Sequence, residues 1–307
     1  MSPTRSSIRG SALADRPRKP VLLRHFLRSP QAILSSIVLL LLVIGAVFAG
    51  VLAPQDPYHL QNLSLANAFL PPAWLAGGHA GFLLGTDNQG RDILSTILYG
   101  SRTSFEVGFG VVLLAGLIGG TVGLLAGFFG GWLDAVTMRV ADTLLSFSTT
   151  LIAMLMLGLF KQSSVLLVVF AIVVADWVQY ARTIRGSVLQ VKEEDYVTAG
   201  RALGGRSGRI VLRHVLPNAI PPLFVIAAVD FGVAVLLEAT LSFLGVGVPI
   251  TEPSLGSMIA QGKNFMYAGD WWMVVFPAIV LMALVFSLNL LADWLRTELD
   301  PRGRGRT

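Results

Sequence analysis

Six long apolar runs constrain this chain more than any other feature. They lie at about 32–53, 104–128, 136–160, 163–181, 218–245 and 272–295. The hydrocarbon core of a bilayer is ~30 Å thick, and a helix rising ~1.5 Å per residue needs ~20 mainly apolar residues to cross it. The runs therefore predict an all-α, polytopic membrane protein with six transmembrane helices. Composition agrees: 54% of the 307 residues are hydrophobic and 13% are charged, about half the charged share of an ordinary soluble domain.

The net charge of +5 would suit a nucleic-acid partner if it covered one surface. Instead the basic residues collect at the two ends and in one central stretch, the pattern of a positive-inside bias. The absence of cysteine excludes disulfides, thiolate metal sites and cysteine nucleophiles. The first run follows Arg5, Arg9, Arg16, Arg18, Lys19, Arg24 and Arg28. It is longer than the ~7–15 residues of a signal-peptide core and more runs follow it, so it reads as a retained helix.

Placing the basic N-terminus in the cytoplasm fixes the rest by alternation. Residues 54–103 fall outside, the 129–135 turn inside, and a tight hairpin at Lys161 and Gln162 outside. Residues 183–217 fall inside, 246–271 outside and 296–307 inside. The expected units are a basic tail 1–31, a first helix with its extracytoplasmic segment 32–103, a transmembrane core 104–295 that contains the loop 183–217, and a basic tail 296–307. Arg182, Arg185, Lys192, Arg201, Arg206, Arg209 and Arg213 then share one face with both termini. In the second run Gly116/Gly120, Gly119/Gly123 and Gly123/Gly127 stand at small-xxx-small spacing. That spacing lets another backbone approach, within one bundle or between subunits.

The central stretch reads DYVTAGRALGGRSGRIVLRHVLP from Asp195. Tyr196, Ala199, Gly200 and Leu203 fall at i, i+3, i+4 and i+7, one face of a short helix. Glu193, Glu194 and Asp195 sit at its start, where the macrodipole favours negative charge, and Gly204-Gly205 ends it. A second short helix is expected from about Ser207 to Val215, stopped by Pro217. A helix with a narrow apolar stripe outside the membrane needs a groove on a partner.

The spacing of Thr198-Ala199-Gly200, Gly204, His214 and Leu216-Pro217 resembles the EAA loop of bacterial ATP-binding-cassette importer permeases. That pattern runs Glu-Ala-Ala, three residues, Gly, nine residues, Ile, any residue, Leu-Pro. The departures are Thr198 for glutamate, Gly200 for the second alanine and His214 for isoleucine. LGTDNQGRDILSTILYGSR (84–102), RHVLPNAIPP (213–222), LEATLSFLGVG (237–247) and Leu299-Asp300-Pro301 are similar to the C-type permease of dipeptide, oligopeptide and nickel importers. The likeness covers roughly residues 30–302.

This resemblance implies a type I importer permease fold at the inner membrane with both termini cytoplasmic. It also implies a homologous second permease, two cytoplasmic ATPases that carry ATP, and an extracytoplasmic solute-binding protein. The loop helix would be a coupling helix seated on an ATPase. Glu193, Tyr196, Ala199, Gly200, Arg201, Leu203, Gly204, Leu216 and Pro217 are its expected residues, with Gly204 as the elbow. The expected cargo is a di- or oligopeptide, with nickel or another small solute as the alternative.

No GxxxxGK[ST] phosphate loop occurs in the chain, so the energy comes from another polypeptide or an ion gradient. No hydrolase motif lies in a span, which argues against an enzyme. Of the acids within apolar runs, Glu106, Asp142, Asp176 and Asp293 fall near expected helix ends. Asp230 and Glu238 sit deeper in the fifth run, where a carboxylate is costly and marks a pathway or a satisfied interhelical bond. A proton-driven secondary transporter acting through either acid is the reading from a different class. Asp87, Asn88, Arg91 and Asp92 form a turn-rich cluster that serves as a capped loop or an extracytoplasmic contact. The four histidines lie outside the spans, and no metal site is expected.

Overall fold

The computed structural model describes residues 25–58, 64–160, 164–202, 204–249 and 251–299. In chain order its α-helices are α1 (Pro30–Val47), α2 (Ala49–Leu52), α3 (Ile93–Phe129), α4 (Gly131–Leu145), α5 (Thr149–Phe160), α6 (Val165–Val191) and α7 (Asp195–Ala202). They continue with α8 (Ser207–Ile210), α9 (Leu216–Ala219), α10 (Pro221–Phe243), α11 (Leu255–Gly262) and α12 (Trp272–Leu299). Helices α1, α3, α6, α10 and α12 are each long and apolar enough to cross a membrane, and α4 with α5 supplies a sixth crossing if counted as one bent span.

Local chemistry explains the boundaries. Ser29 and Ser164 cap α1 and α6 by accepting backbone N–H bonds from Ala32 and Leu167, and Pro30 occupies the first turn of α1, where no N–H is needed. Asp92 caps α3 through Ser95 N–H at 2.8 Å. Gly130, at φ +65°, ends that helix and Gly131, at φ +61°, opens the next, a reversal that side chains with a Cβ resist.

The core forms where α3 lies along α6. Val107, Val111 and Ala115 of α3 pack with Val168, Ile172 and Tyr180 of α6 and with Leu241 of α10. The glycine stripe permits this approach within one chain. A Cβ at Gly119 would overlap the Trp177 carbonyl oxygen, one at Gly123 the Ala181 carbonyl, and one at Gly127 would stand 3.0 Å from Val188. Large apolar side chains such as Leu40, Phe109, Leu117, Leu155 and Phe286 point outward, as expected for a surface bathed in lipid tails.

Side-chain bonds fasten the segments at the helix ends. At one end Gln55 accepts from Asp92 N–H, Arg91 reaches Gln261, and the Trp272 indole donates to Thr86 O. At the other, His25 pairs with Glu298, and the Lys192 ammonium meets the Gly127 carbonyl at 3.3 Å.

Several sequence expectations are corrected. The third run is not one straight helix: α4 and α5 meet at 88° across residues 146–148. There the Ser146 hydroxyl bonds back to the Asp142 carbonyl, the kind of side-chain competition that ends a helix. The second helix begins at Ile93, not near 104, and its 37 residues extend past the hydrocarbon. The fourth runs to Val191 rather than 181, so residues 183–191 belong to a helix and not to a loop. Pro217 stops nothing. Residues Val211–Val215 form a π turn and α9 follows directly, with Pro217 in its first turn, where its missing N–H is tolerated. The hairpin residues Lys161 and Gln162 lie outside the described residues.

Candidate functional site

The basic loop is built as a seated element with one open face. Val197 is fully buried against Ile184 and Val188 of α6 and against Ile210 and Val215, which clamps α7 onto the end of the bundle. Tyr196 and Ala199, by contrast, are exposed, and Gly200 is half-buried. The helix therefore carries two apolar sides, one spent inside the chain and one free. The Thr198 hydroxyl bonds back to the Asp195 carbonyl, and Glu193, Glu194 and Asp195 remain exposed. Leu203 and the Arg201 side chain lie outside the described residues.

The elbow has the geometry of a Schellman ending. Gly204 adopts φ +78°, and Gly205 N–H bonds to the Gly200 carbonyl at 3.0 Å, the six-to-one bond of that motif. A Cβ at Gly204 meets nothing within 4 Å, whereas one at Gly205 would lie 2.7 Å from the Gly200 oxygen. Backbone conformation, not crowding, is what makes glycine necessary at 204. Leu216 is half-buried and Pro217 exposed, so the Leu-Pro end of the motif returns the chain toward α10.

The membrane acids do not sort as their sequence positions suggest. Asp176 is not at a helix end. It is buried midway along α6, lies against Asp230 of α10 and accepts from the Gln179 amide at 3.5 Å. Tyr180, one turn beyond Asp176, donates its hydroxyl to Asp230 Oδ2 at 2.7 Å. Glu238 is completely buried and turns elsewhere. It accepts from the Ser104 hydroxyl of α3 at 3.1 Å and the Ser242 hydroxyl at 2.8 Å, and Ser254 lies close by. Ser254 is itself the N-cap of α11, so Glu238 clasps three helices. Glu106 is exposed and paired with Arg102, as its outer position implies. Asp142 and Asp134 pair with Arg182 and Arg185, fastening α4 to α6.

The outer cluster is turned inward. The Arg91 guanidinium meets Asp87 at 2.7 Å and Gln261 at 3.3 Å, and all three of Asp87, Arg91 and Asp92 are buried. They hold the 64–92 segment onto α11. Burial raises the Asp92 carboxyl above its ordinary value, opposed by hydrogen bonds from Ser95.

Val197 and the three serines around Glu238 were not singled out by sequence reasoning, and Asp176 and Tyr180 were not read as neighbours of Asp230. Asp176 was visible as an acid in an apolar run, but its partner lies 54 positions away.

A family model described as the inner membrane component of binding-protein-dependent transport systems matches residues 119–305. Another, for the N-terminal transmembrane domain of oligopeptide transport permease C, matches residues 21–72. The dipeptide transport system permease protein DppC of Haemophilus influenzae is 36% identical over 91% of this chain and 92% of its own length. The di/tripeptide permease DppC of Pseudomonas aeruginosa is likewise 36% identical, over 91% of this chain and 90% of its own. A chain of the MetNI methionine ABC transporter, solved in inward-facing conformations, superposes with a TM-score of 0.54 at 18% identity. That match covers 67% of this chain and 96% of the other, and it shows the fold.

Proposed function

The chain belongs to the family of binding-protein-dependent transport system inner membrane components, and from that premise we propose that it is a permease subunit that moves di- or oligopeptides inward. Its relatives are named for dipeptide and di/tripeptide transport. The assembly we infer adds a homologous second permease, two cytoplasmic ATPases that bind ATP, and an extracytoplasmic solute-binding protein. The end of the bundle bearing residues 192–217 and both termini faces the cytoplasm.

One observation carries the coupling role. Helix α7 is anchored to its own bundle through Val197 and leaves Tyr196 and Ala199 uncovered, so a push on that open face is transmitted into α6 and α10. Glu193, Gly200, Arg201 and Leu203 extend the contact, Gly204 sets its angle, and Leu216-Pro217 leads it back to the membrane. ATP-driven closure of the two ATPases displaces this element and alternates access. Asp230 lines the pathway and the Glu238 clasp closes its outer end. The 64–92 segment, framed by Asp87, Arg91 and Asp92, presents the surface on which the binding protein lands.

Co-purification from native membranes in mild detergent tests this reading. An ATPase and a second permease accompany the native chain, and the ATPase is lost from Arg201→Glu and Gly204→Val. A native chain that emerges alone and still moves peptide after reconstitution would overturn it. The buried, adjacent acids Asp176 and Asp230 favour one competing reading, proton-driven transport, which predicts uptake that collapses with a proton uncoupler and ignores ATPase subunits.

A further inference from the structure

A cavity of about 670 Å³ opens between α6, α10 and the end of α12, within the ~300–1,000 Å³ range of small-ligand sites. Most of its wall is apolar, formed by residues such as Val225, Val229 and Val233, and its polar groups are few and ordered. Asp230 contributes the one acid of the lining and Arg296 the one base, with Gln179, Thr183 and Asn218 as the remaining polar side chains. Among the described residues no hydrogen bond or ion pair engages the Arg296 guanidinium. Asp230 lies nine residues into α10 from Pro221, ~14 Å along the axis at ~1.5 Å per residue, whereas Arg296 sits at the last turn of α12.

Resting on the peptide-permease reading, we infer that this cavity is a peptide site that binds a short zwitterion, the amino terminus at Asp230 and the carboxylate at Arg296. The argument stands on opposite charges at different depths of one apolar chamber. An ammonium entering such a wall needs a fixed anion, and Asp230 is the one its lining offers. Asp176, buried on α6 beside it, accepts from the side chain of Gln179, itself part of the lining, at 3.5 Å. The Tyr180 hydroxyl donates to Asp230 Oδ2 at 2.7 Å and so fixes the rotamer of that carboxyl. A carboxylate suits the free guanidinium at the mouth. An extended peptide advances ~3.5 Å per residue, so two to four residues cover ~7–14 Å of the chamber's depth.

The chain lacks cysteine, which permits a direct binding test in the purified complex without the solute-binding protein. Thr183→Cys places a single thiol of this chain in the lining, and Leu151→Cys, on an exposed position of α5, serves as the control. The readout is the rate of maleimide labelling with dialanine, N-acetyl-dialanine or dialanine amide at millimolar concentration. Dialanine slows labelling of Thr183→Cys at least fivefold, and each blocked peptide protects far less. Adding Asp230→Asn abolishes the distinction between free and acetylated amino termini, and Arg296→Gln abolishes that between acid and amide. Leu151→Cys labels equally throughout. Equal protection by all three peptides, or none, overturns the site. If Asp230→Asn does not fold, the Arg296→Gln comparison still decides. This assay needs no ATP or transport, so it fails separately from the importer reading, which fails when the native complex contains no ATPase.

Discussion

Tyr196 and Val197 are neighbours in sequence and opposites in environment: Val197 is 0% exposed, packed against Ile184 and Val188, and Tyr196 is 44% exposed. A helix of eight residues is marginal alone, so its position depends on the Val197 side. The Tyr196 side is then free to meet another protein without cost to the chain's own fold.

This division predicts separable mutant effects. Val197→Asp buries an unpaired carboxylate and loosens residues 192–217, which limited proteolysis of the purified protein reads as faster cleavage there. Tyr196→Ala shifts stability by less than about 0.5 kcal/mol, the usual range for an exposed site, yet lowers ATPase recovery in co-purification.

The two elbow glycines fail for different reasons. Gly204→Ala has room for its methyl but places a Cβ at φ +78°, which costs about 1–2 kcal/mol. Gly205→Ala drives its methyl against the Gly200 oxygen that its own N–H binds, so the Schellman ending itself is lost. Thermal unfolding in detergent places Gly205→Ala below Gly204→Ala.

The α3–α6 seam predicts a steep position dependence along the glycines. Gly123→Val overlaps the Ala181 carbonyl and the Ile184 side chain, overpacking worth about 3 kcal/mol. Gly158→Val, with nothing within 4 Å of its Cβ, leaves the midpoint unchanged. The midpoint difference between these two variants is the measurement.

Asp92 links a helix cap to pH. Burial raises its carboxyl in the native protein, so the folded state holds that proton more tightly than the unfolded chain. Its contribution to stability is full below the unfolded value of ~3.9 and is lost as pH rises through the raised native value. Asp92→Asn keeps an equally good cap and flattens this slope, whereas Asp92→Ala loses about 1 kcal/mol. Unfolding midpoints between pH 4 and 8 separate the three.

Glu238 predicts a graded response to shape and hydrogen bonding. Glu238→Ala removes the acceptor of the Ser104 and Ser242 hydroxyls, at about 1–3 kcal/mol for each group left unsatisfied. Glu238→Gln keeps an acceptor and loses less. The ordering native, Gln, Ala in unfolding temperature is the expected result.

The spans were legible because hydrocarbon demands long apolar stretches, and Pro30–Val47 or Trp272–Leu299 can hardly be anything else. The bend at 146–148 was not, since serine and threonine at Ser146, Ser148 and Thr149 are compatible with a continuing helix until a bond such as Ser146 to Asp142 turns it. The loop's open stripe was read from Tyr196 and Ala199. Val197 escaped because an eight-residue helix with two apolar sides does not declare which one its own bundle covers. Asp176 looked like an end residue only while α6 was taken to stop at 181. Once the helix runs to Val191, Asp176 lies mid-span, and its contact with Asp230 depends on how two helices pack, which no local pattern encodes.

Cysteine crosslinking at α7 tests the central claim most directly. Tyr196→Cys, Ala199→Cys and Val197→Cys are made in this cysteine-free chain and treated in native membranes with a short thiol-to-lysine crosslinker, and adducts are identified by mass spectrometry. Coupling through the open face predicts an adduct at Tyr196→Cys and Ala199→Cys with a polypeptide bearing a GxxxxGK[ST] phosphate loop, and none at the buried Val197→Cys. No such adduct at either exposed position, or equal yield at all three, would contradict it.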